Sequence, residues 1–294
     1  MKDFKIITDS CSDMPKDLRE KYDIDYVKMQ IVVDGKELPA SLDWDIYSPK
    51  ELYDIMRGGK RITTTQVPNE EFTEVFGKYL EQGMDVLYIG CSSALSGSVN
   101  AGLVIARELE EKYDAKIVCI DCLNSCYAEA SIAIKAAELK AEGKSLEETA
   151  GWIEENKLKF NQAATVESLD YLRRAGRVKA TAAFFGNIFG VKPIIISDAH
   201  GNNYAIKKVK GRKGSIAELV NMAKETIEDP ENQTLYVCHA DCMEDAVAFK
   251  DALAKEIPCK DIYVGYIGPI IGASTGPGTI AVYYYGKEVT VVGE

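Results

Sequence analysis

Apolar positions recur along this chain with two periods. Phe4 to Thr8, Val86 to Gly90 and Lys116 to Ile120 are short apolar runs with the length of buried strands. The stretches that follow them carry helical spacing: Phe72, Val75, Phe76, Tyr79 and Leu80 fall on one face and stop before Gly83. Two helix starts are written chemically. Ser48-Pro49-Lys50-Glu51 is a capping box with proline at the first helical position, and Ser145-Leu146-Glu147-Glu148 is a second box. Strands alternating with helices predict parallel βαβ units. From about Asn161 the rhythm changes. Helices are expected over Val166 to Ala175 and Ala180 to Phe189, and strands over Lys192 to Ser197 and Tyr204 to Val209, with Asp198-Ala199-His200-Gly201 as the turn between them. A connection that short makes the two strands antiparallel neighbours. A helix from Ser215, a strand from Thr234 to Cys238, a helix from Asp241 and strands Ile262 to Ile267 and Ile280 to Tyr285 complete the pattern. The expected fold is α/β in two domains: an N-terminal parallel-sheet α/β domain over 1–160 and a C-terminal α+β domain with a largely antiparallel sheet over 161–294.

Composition narrows the class. With 46% hydrophobic residues in 294, the chain has material for two cores of ordinary size. No apolar run is long enough for a transmembrane helix, and the N-terminus enters a strand without the apolar region of a signal peptide, so a cytoplasmic location is expected. The eight cysteines are scattered, mostly inside apolar runs, and read as thiols. A net charge of −11 argues against nucleic acid or an anionic membrane as partner. Basic residues nevertheless crowd at Arg173, Arg174, Arg177 and Lys179, and again at Lys207, Lys208, Lys210, Arg212 and Lys213; either group serves as a docking face or as ordinary solvated surface.

Three strands of the first half end in small polar residues: Thr8-Asp9-Ser10, Cys91-Ser92-Ser93 and Asp121-Cys122. In an open parallel sheet the ligand crevice lies outside the carboxyl ends of the strands, so these groups are candidates for one site, joined by Thr63-Thr64-Thr65-Gln66 from a loop. Hydroxyls and loop N–H groups suit a ligand carboxylate held away from water, because an unpaired buried anion is very costly. Each hydroxyl taken singly also reads as an N-cap or turn residue.

The same residues stand in a familiar order. Ile6-Ile7-Thr8-Asp9-Ser10-Cys11-Ser12-Asp13-Met14-Pro15 resembles the opening signature of the DegV family, Thr64-Thr65-Gln66-Val67-Pro68 its TSQPS segment, and Ser92-Ser93-Ala94-Leu95-Ser96-Gly97-Ser98 its SSxLSGT stretch. Asp121 with Ser125, Tyr171-Leu172-Arg173-Arg174-Ala175-Gly176-Arg177-Val178, Gly186-Asn187 with Lys192-Pro193-Ile194, and the stretch from Gly268 to Gly278 continue the match. The resemblance implies a fatty acid binder with a long-chain acid such as palmitate between its domains and no other cofactor. The carboxylate would be held at Thr64 and Ser93, with Thr65, Ser92 and Ser96 beside them, while Asp9, Ser10, Asp121 and Ser125 shape the crevice. Arg177 and Ser274 would face a partner, a separate fatty acid kinase subunit where the host has one. The chain departs from the family pattern in Ala175 for glycine, Val67-Pro68 for Pro-Ser, and Ser274 where kinase-competent members often have histidine. Binding needs no chemical step: about fourteen buried methylenes at roughly 0.8 kcal/mol each give on the order of 11 kcal/mol gross. Phe184, Phe185, Ile188 and Phe189 are candidates for the acyl wall, or for ordinary core.

Three rival readings remain on the sequence. A serine hydrolase acting on lipid or acyl esters would use Ser92, but Gly90-Cys91-Ser92-Ser93-Ala94 lacks the second glycine of a nucleophile elbow, and only His200 and His239 are available as base. Cys119, Cys122 and Cys126 have metal-ligand spacing, yet Cys119 lies within a strand and Cys122 faces the other way, so no metal is expected. The glycines from Gly268 to Gly278 lack the GK[ST] of a P-loop and read as a close-packed turn near the domain interface.

Overall fold

The computed structural model describes residues 2–180, 184 and 190–293. The first apolar run becomes β1 (Phe4–Asp9), buried along its whole length, as a parallel strand covered on both faces must be. α1 (Lys16–Tyr22) returns the chain to β2 (Ile24–Val27), parallel to β1. A small antiparallel sheet follows. In it β3 (Gln30–Val33) and β4 (Lys36–Pro39) form a hairpin whose turn residues Asp34 and Gly35 have φ of 51° and 77°, the left-handed pair that a two-residue turn demands. α2 (Pro49–Arg57) leads to β5 (Thr63–Thr65), which pairs with the other edge of β3. The expectation of a loop over Thr63 to Gln66 is therefore corrected: three threonines are too short a run to display alternation, and only pairing with β3 makes them a strand. α3 (Asn69–Leu80) carries the chain to β6 (Asp85–Gly90), and α4 (Ser98–Lys112) to β7 (Ile117–Asp121). The parallel sheet has the order β2-β1-β6-β7. Its winding reverses between β1 and β6, so a crevice opens outside their carboxyl ends.

α5 (Tyr127–Ala141) and α6 (Leu146–Asn156) lead to the larger sheet, which is built from β8 (Phe160–Thr165), β9 (Val191–Ser197), β10 (Asn203–Lys210), β11 (Thr234–His239), β12 (Asp261–Tyr266) and β13 (Ile280–Tyr285). Its order is β10-β9-β8-β13-β11-β12, antiparallel except for β11 and β12, which α9 (Met243–Glu256) joins as a parallel pair. This is the α/β architecture expected, with a parallel sheet first and a largely antiparallel one after it. The helix expected over Val166 to Ala175 is shorter, α7 (Asp170–Ala175), because β8 runs to Thr165. α8 (Gly211–Thr226) starts before Ser215, and the glycine stretch holds α10 (Pro269–Thr275) where a turn was expected. The expected helix from Ala180 to Phe189 falls largely outside the described residues, as do Phe185, Gly186, Asn187, Ile188 and Phe189; Phe184 packs against the core with Lys208 5.4 Å from its ring centre.

Period-two alternation in β8 and β13 decides what each face of the large sheet meets. Ala163, Ile280, Val282 and Tyr284 join a core cluster with Leu219 and Val220 of α8 and Phe249 and Leu253 of α9. Residues of the opposite face, Ala164, Ala281 and Tyr283, belong to the cluster that also contains Phe4, Ile7, Tyr88 and Ile89 of the parallel sheet. The two sheets thus share one core. Where they meet, three glycines receive side chains from the first half of the chain: Tyr127 lies against Gly265, Asp13 against Gly268 and Tyr53 against Gly272, each so close that a Cβ would overlap it. The Tyr53 hydroxyl also donates to the Ile267 carbonyl at 2.7 Å. Among the described residues no helix is long and apolar enough to cross a membrane.

Candidate functional site

The polar ends of β1 and β6 are tied to each other before they can offer anything to a ligand. Asp9 is completely buried; its carboxylate accepts from the Cys11 N–H at 2.7 Å, the Tyr88 hydroxyl at 2.9 Å and the Cys91 N–H at 3.0 Å. Burial pushes its carboxyl above the usual range, and these donors pull the other way. The Ser10 hydroxyl donates to the Ala40 carbonyl at 2.7 Å and accepts from the Met29 N–H at 3.0 Å, which fastens the small sheet to β1. Asp121 accepts the N–H groups of Ser93 and Leu123, both at 3.1 Å, and so shapes the turns after β6 and β7. Buried Ser92 caps the Ala94 N–H at 3.2 Å. Ser93 is exposed. None of these five residues lines the cavity described next.

That cavity, of about 160 Å³, lies between the carboxyl ends of β1 and β6, the strand β5, the helix α10 and the open face of the large sheet. Cys11, Met29 and Cys91 form one wall; Ala164 and Ala281, direct neighbours across β8 and β13, form the floor; Leu172, Ile195, Ile267, Ile270 and Ile271 close the rest. The wall stays neutral, since the hydrogen bond with Cys91 and burial push the Cys11 thiol well up. At the rim stand Thr64, Thr65, Gln66, Ser96, Arg177 and Ser274. The hydroxyls of Thr64, Thr65 and Ser274 have no hydrogen-bond partner among the described residues. Ser96 shares a bond of 2.9 Å with Ser98. Arg177 donates to the carbonyls of Leu95 and Ala175, at 2.5 and 2.8 Å, which sets its guanidinium beside Ser96.

Thr64, Arg177 and Ser274 also line a second space of about 400 Å³, a vestibule walled by Arg57, Lys60, Arg61 and Arg174. Arg57 is paired with Asp54 and Asp241, and Lys60 with Asp34. Among the described residues Arg61, Arg174 and Arg177 have no carboxylate partner; Arg61 donates to the Arg174 carbonyl at 3.1 Å, and Arg174 lies over the Tyr171 ring at 5.4 Å. An apolar interior that opens through hydroxyls into a cationic mouth suits a long apolar molecule with one anionic end.

Of the residues singled out on the sequence, the fold therefore brings Thr64, Thr65, Ser96, Ser125, Arg177 and Ser274 to the cavity, and leaves Asp9, Ser10, Ser92, Ser93 and Asp121 behind it or beside it. Gln162, Asn203 and Tyr283 were missed. They lie in strands whose pairing the sequence does not declare, and alternation along β13 is the only signal that could have aimed Tyr283 inward. The two histidines named as candidate bases lie away from this cavity. His239 is buried, accepts the Cys242 N–H at 3.2 Å and does not line the cavity; His200 is exposed in the β9–β10 turn. Among the described residues no three His, Cys, Asp or Glu side chains are gathered as a metal requires. Cys126 instead sits 3.6 Å from Cys238, both thiols buried.

The DegV family, whose model is described as that of an uncharacterised protein, matches residues 3–287. A DegV domain-containing protein of Clostridium perfringens is 39% identical over 287 residues, which cover 97% of this chain and 98% of that protein. A fatty-acid-binding DegV family protein from Thermus thermophilus superimposes with a TM-score of 0.88 at 27% identity, over 98% of this chain and 100% of the other. A DegV lipid binding protein from Thermotoga maritima does so with a TM-score of 0.85, also at 27% identity and the same coverage. With its motifs in order and its two sheets arranged as in these relatives, the chain belongs to the DegV family.

Proposed function

We propose that this chain binds one long-chain fatty acid, palmitate or an acid of similar length, and carries it without transforming it. The observation behind this reading is the cavity that joins an apolar interior to a rim of hydroxyls and a guanidinium. The acyl chain lies over Ala164 and Ala281, and the carboxylate sits at the rim, where Thr64, Thr65 and Ser96 donate to it and Arg177 supplies the opposite charge. The resemblance to the family implied Ser93 as a carboxylate ligand; we assign that place to Ser96, three residues on in the same motif, because it reaches the cavity. A buried carboxylate with both hydrogen bonds and a counter-charge avoids the desolvation penalty that an unpaired one would suffer. The fatty-acid-binding relatives support the reading. The cationic vestibule beyond the carboxylate is docking ground for a separate kinase subunit in a cytoplasmic lipid pathway, with Arg61, Arg174, Arg177 and Ser274 facing the partner. Any group transfer would then occur on that partner.

Native mass spectrometry of the freshly purified protein, followed by extraction, tests the ligand: one long-chain acid per chain is expected, and a protein that carries none and takes up none when offered sinks the proposal. Titration of the delipidated protein with palmitate tests the site. Replacing both Thr64 and Ser96 by alanine should weaken binding about 100-fold, at roughly tenfold for each hydrogen bond to a charged group. Arg177→Gln should weaken it at least as much as either single change, while Ser93→Ala should leave it unaltered. Undiminished affinity in the folded Thr64/Ser96 double variant would remove the carboxylate from this rim.

A further inference from the structure

The cavity wall is not uniformly apolar. Gln162 of β8 is 7% exposed; its Nε2 donates to the Asn203 Oδ1 at 3.2 Å, and its Oε1 has no hydrogen-bond partner among the described residues. Ser125 is 4% exposed, and its hydroxyl likewise has none. Both residues line the cavity. They belong to neighbouring stretches, because the Asn124 side chain donates to the Phe160 carbonyl at 2.8 Å and so docks the Asn124-Ser125 turn against the start of β8. An unsubstituted alkyl chain laid along this wall would strip two polar groups of water and leave both unpaired, which opposes binding. A hydroxyl both donates and accepts, so it satisfies the Gln162 amide in either orientation and the Ser125 hydroxyl as well.

We propose that the cavity selects an oxygenated acyl chain: a hydroxy fatty acid whose hydroxyl donates to the Gln162 amide and accepts from Ser125. This deepens the fatty acid reading and rests on it. The rim handles the carboxylate, as for any fatty acid, and the Gln162–Ser125 wall reads the substituent.

The test is competition binding to the delipidated full-length protein, with stearate against a set of hydroxystearates that differ in the position of the hydroxyl. At least one positional isomer should bind about tenfold tighter than stearate. In Gln162→Leu and in Ser125→Ala the ratio of hydroxystearate to stearate affinity should fall to about one; the serine variant removes a single oxygen and keeps the test available if the glutamine variant does not fold. Stearate binding as tightly as every isomer overturns the inference, as does a preference that survives in both variants. Equal losses for both ligands in the variants, with the ratio unchanged, also overturn it, because these residues would then hold the carboxylate. Failure to bind any of the acids overturns the fatty acid reading, and this inference with it.

Discussion

Asp13 is a buried carboxyl with few partners. It is buried in a left-handed backbone conformation, φ 51°, and accepts from the Cys126 thiol at 2.9 Å. Burial pushes its carboxyl up to about 8 from an ordinary 3.8, against the pull of that thiol and of the Gly268 N–H. A carboxyl harder to ionise folded than unfolded stabilises the fold fully at acid pH and loses that contribution as pH rises from about 4 to about 8, at roughly 1.4 kcal/mol per pH unit. Asp13→Asn cannot ionise. The stability of this variant relative to the parent, measured by denaturant unfolding at two pH values about 2.5 units apart within that window, should therefore rise by about 3 kcal/mol at the higher pH. Parallel behaviour would mean that Asp13 is ionised in the folded protein. At this scale the sequence was legible in kind more than in direction. Hydroxyls after β6 were visible, but whether Ser92, Ser93 or Ser96 meets the cavity depends on a turn that Asp121 fixes from another strand. Asp13 lay inside a recognised motif, yet its burial depends on Gly268 and Cys126, far away in the chain.

Local chemistry declared some elements completely. Ser48 accepts the Glu51 N–H and Glu51 reaches back to the Ser48 N–H, with Pro49 opening α2; Ser145 and Glu148 do the same at α6. Ser145→Ala should cost about 1 kcal/mol, read as a lower midpoint in thermal or urea unfolding with an unchanged urea slope. A loss near zero would mean that packing alone holds the start of α6. Strands β1, β6 and β7 were equally plain because each is an apolar run. β8 was not, since Phe160-Asn161-Gln162-Ala163-Ala164-Thr165 has no branched aliphatic residue and takes its strand character from β9 and β13 on either side. The same poverty is what makes it useful: small Ala164 leaves room for the cavity, and polar Gln162 gives its wall a partner to offer. At the sheet margin, β10 carries Lys207, Lys208 and Lys210 and a bulge between Ala205 and Lys207, which discourages another chain from pairing along that edge.

Over the whole molecule, the parallel sheet uses only residues before the expected boundary at 160 and the six-stranded sheet only residues from 160 onward, yet one core cluster joins them. We propose the division into 1–160 and 161–294 as a description of chain order rather than of independent stability. Calorimetry should accordingly give a single transition with matching calorimetric and van't Hoff enthalpies, and two resolved transitions would contradict this. Added fatty acid should raise the midpoint, by about 2.7 kcal/mol of stabilisation at a free concentration one hundred times its Kd. The stretch from Gly265 to Gly272 connects the first half of the chain to the cavity. Its glycines accept Tyr127, Asp13 and Tyr53 from the first half of the chain, while Ile267, Ile270 and Ile271, interleaved with them, face the cavity. On the proposed reading the ligand and the first half of the chain press on the same short segment from different sides, and on the protein side there is no room for even a Cβ. A methyl group placed on Gly272 would meet the Tyr53 hydroxyl, and the fatty acid proposed above would feel it without touching it.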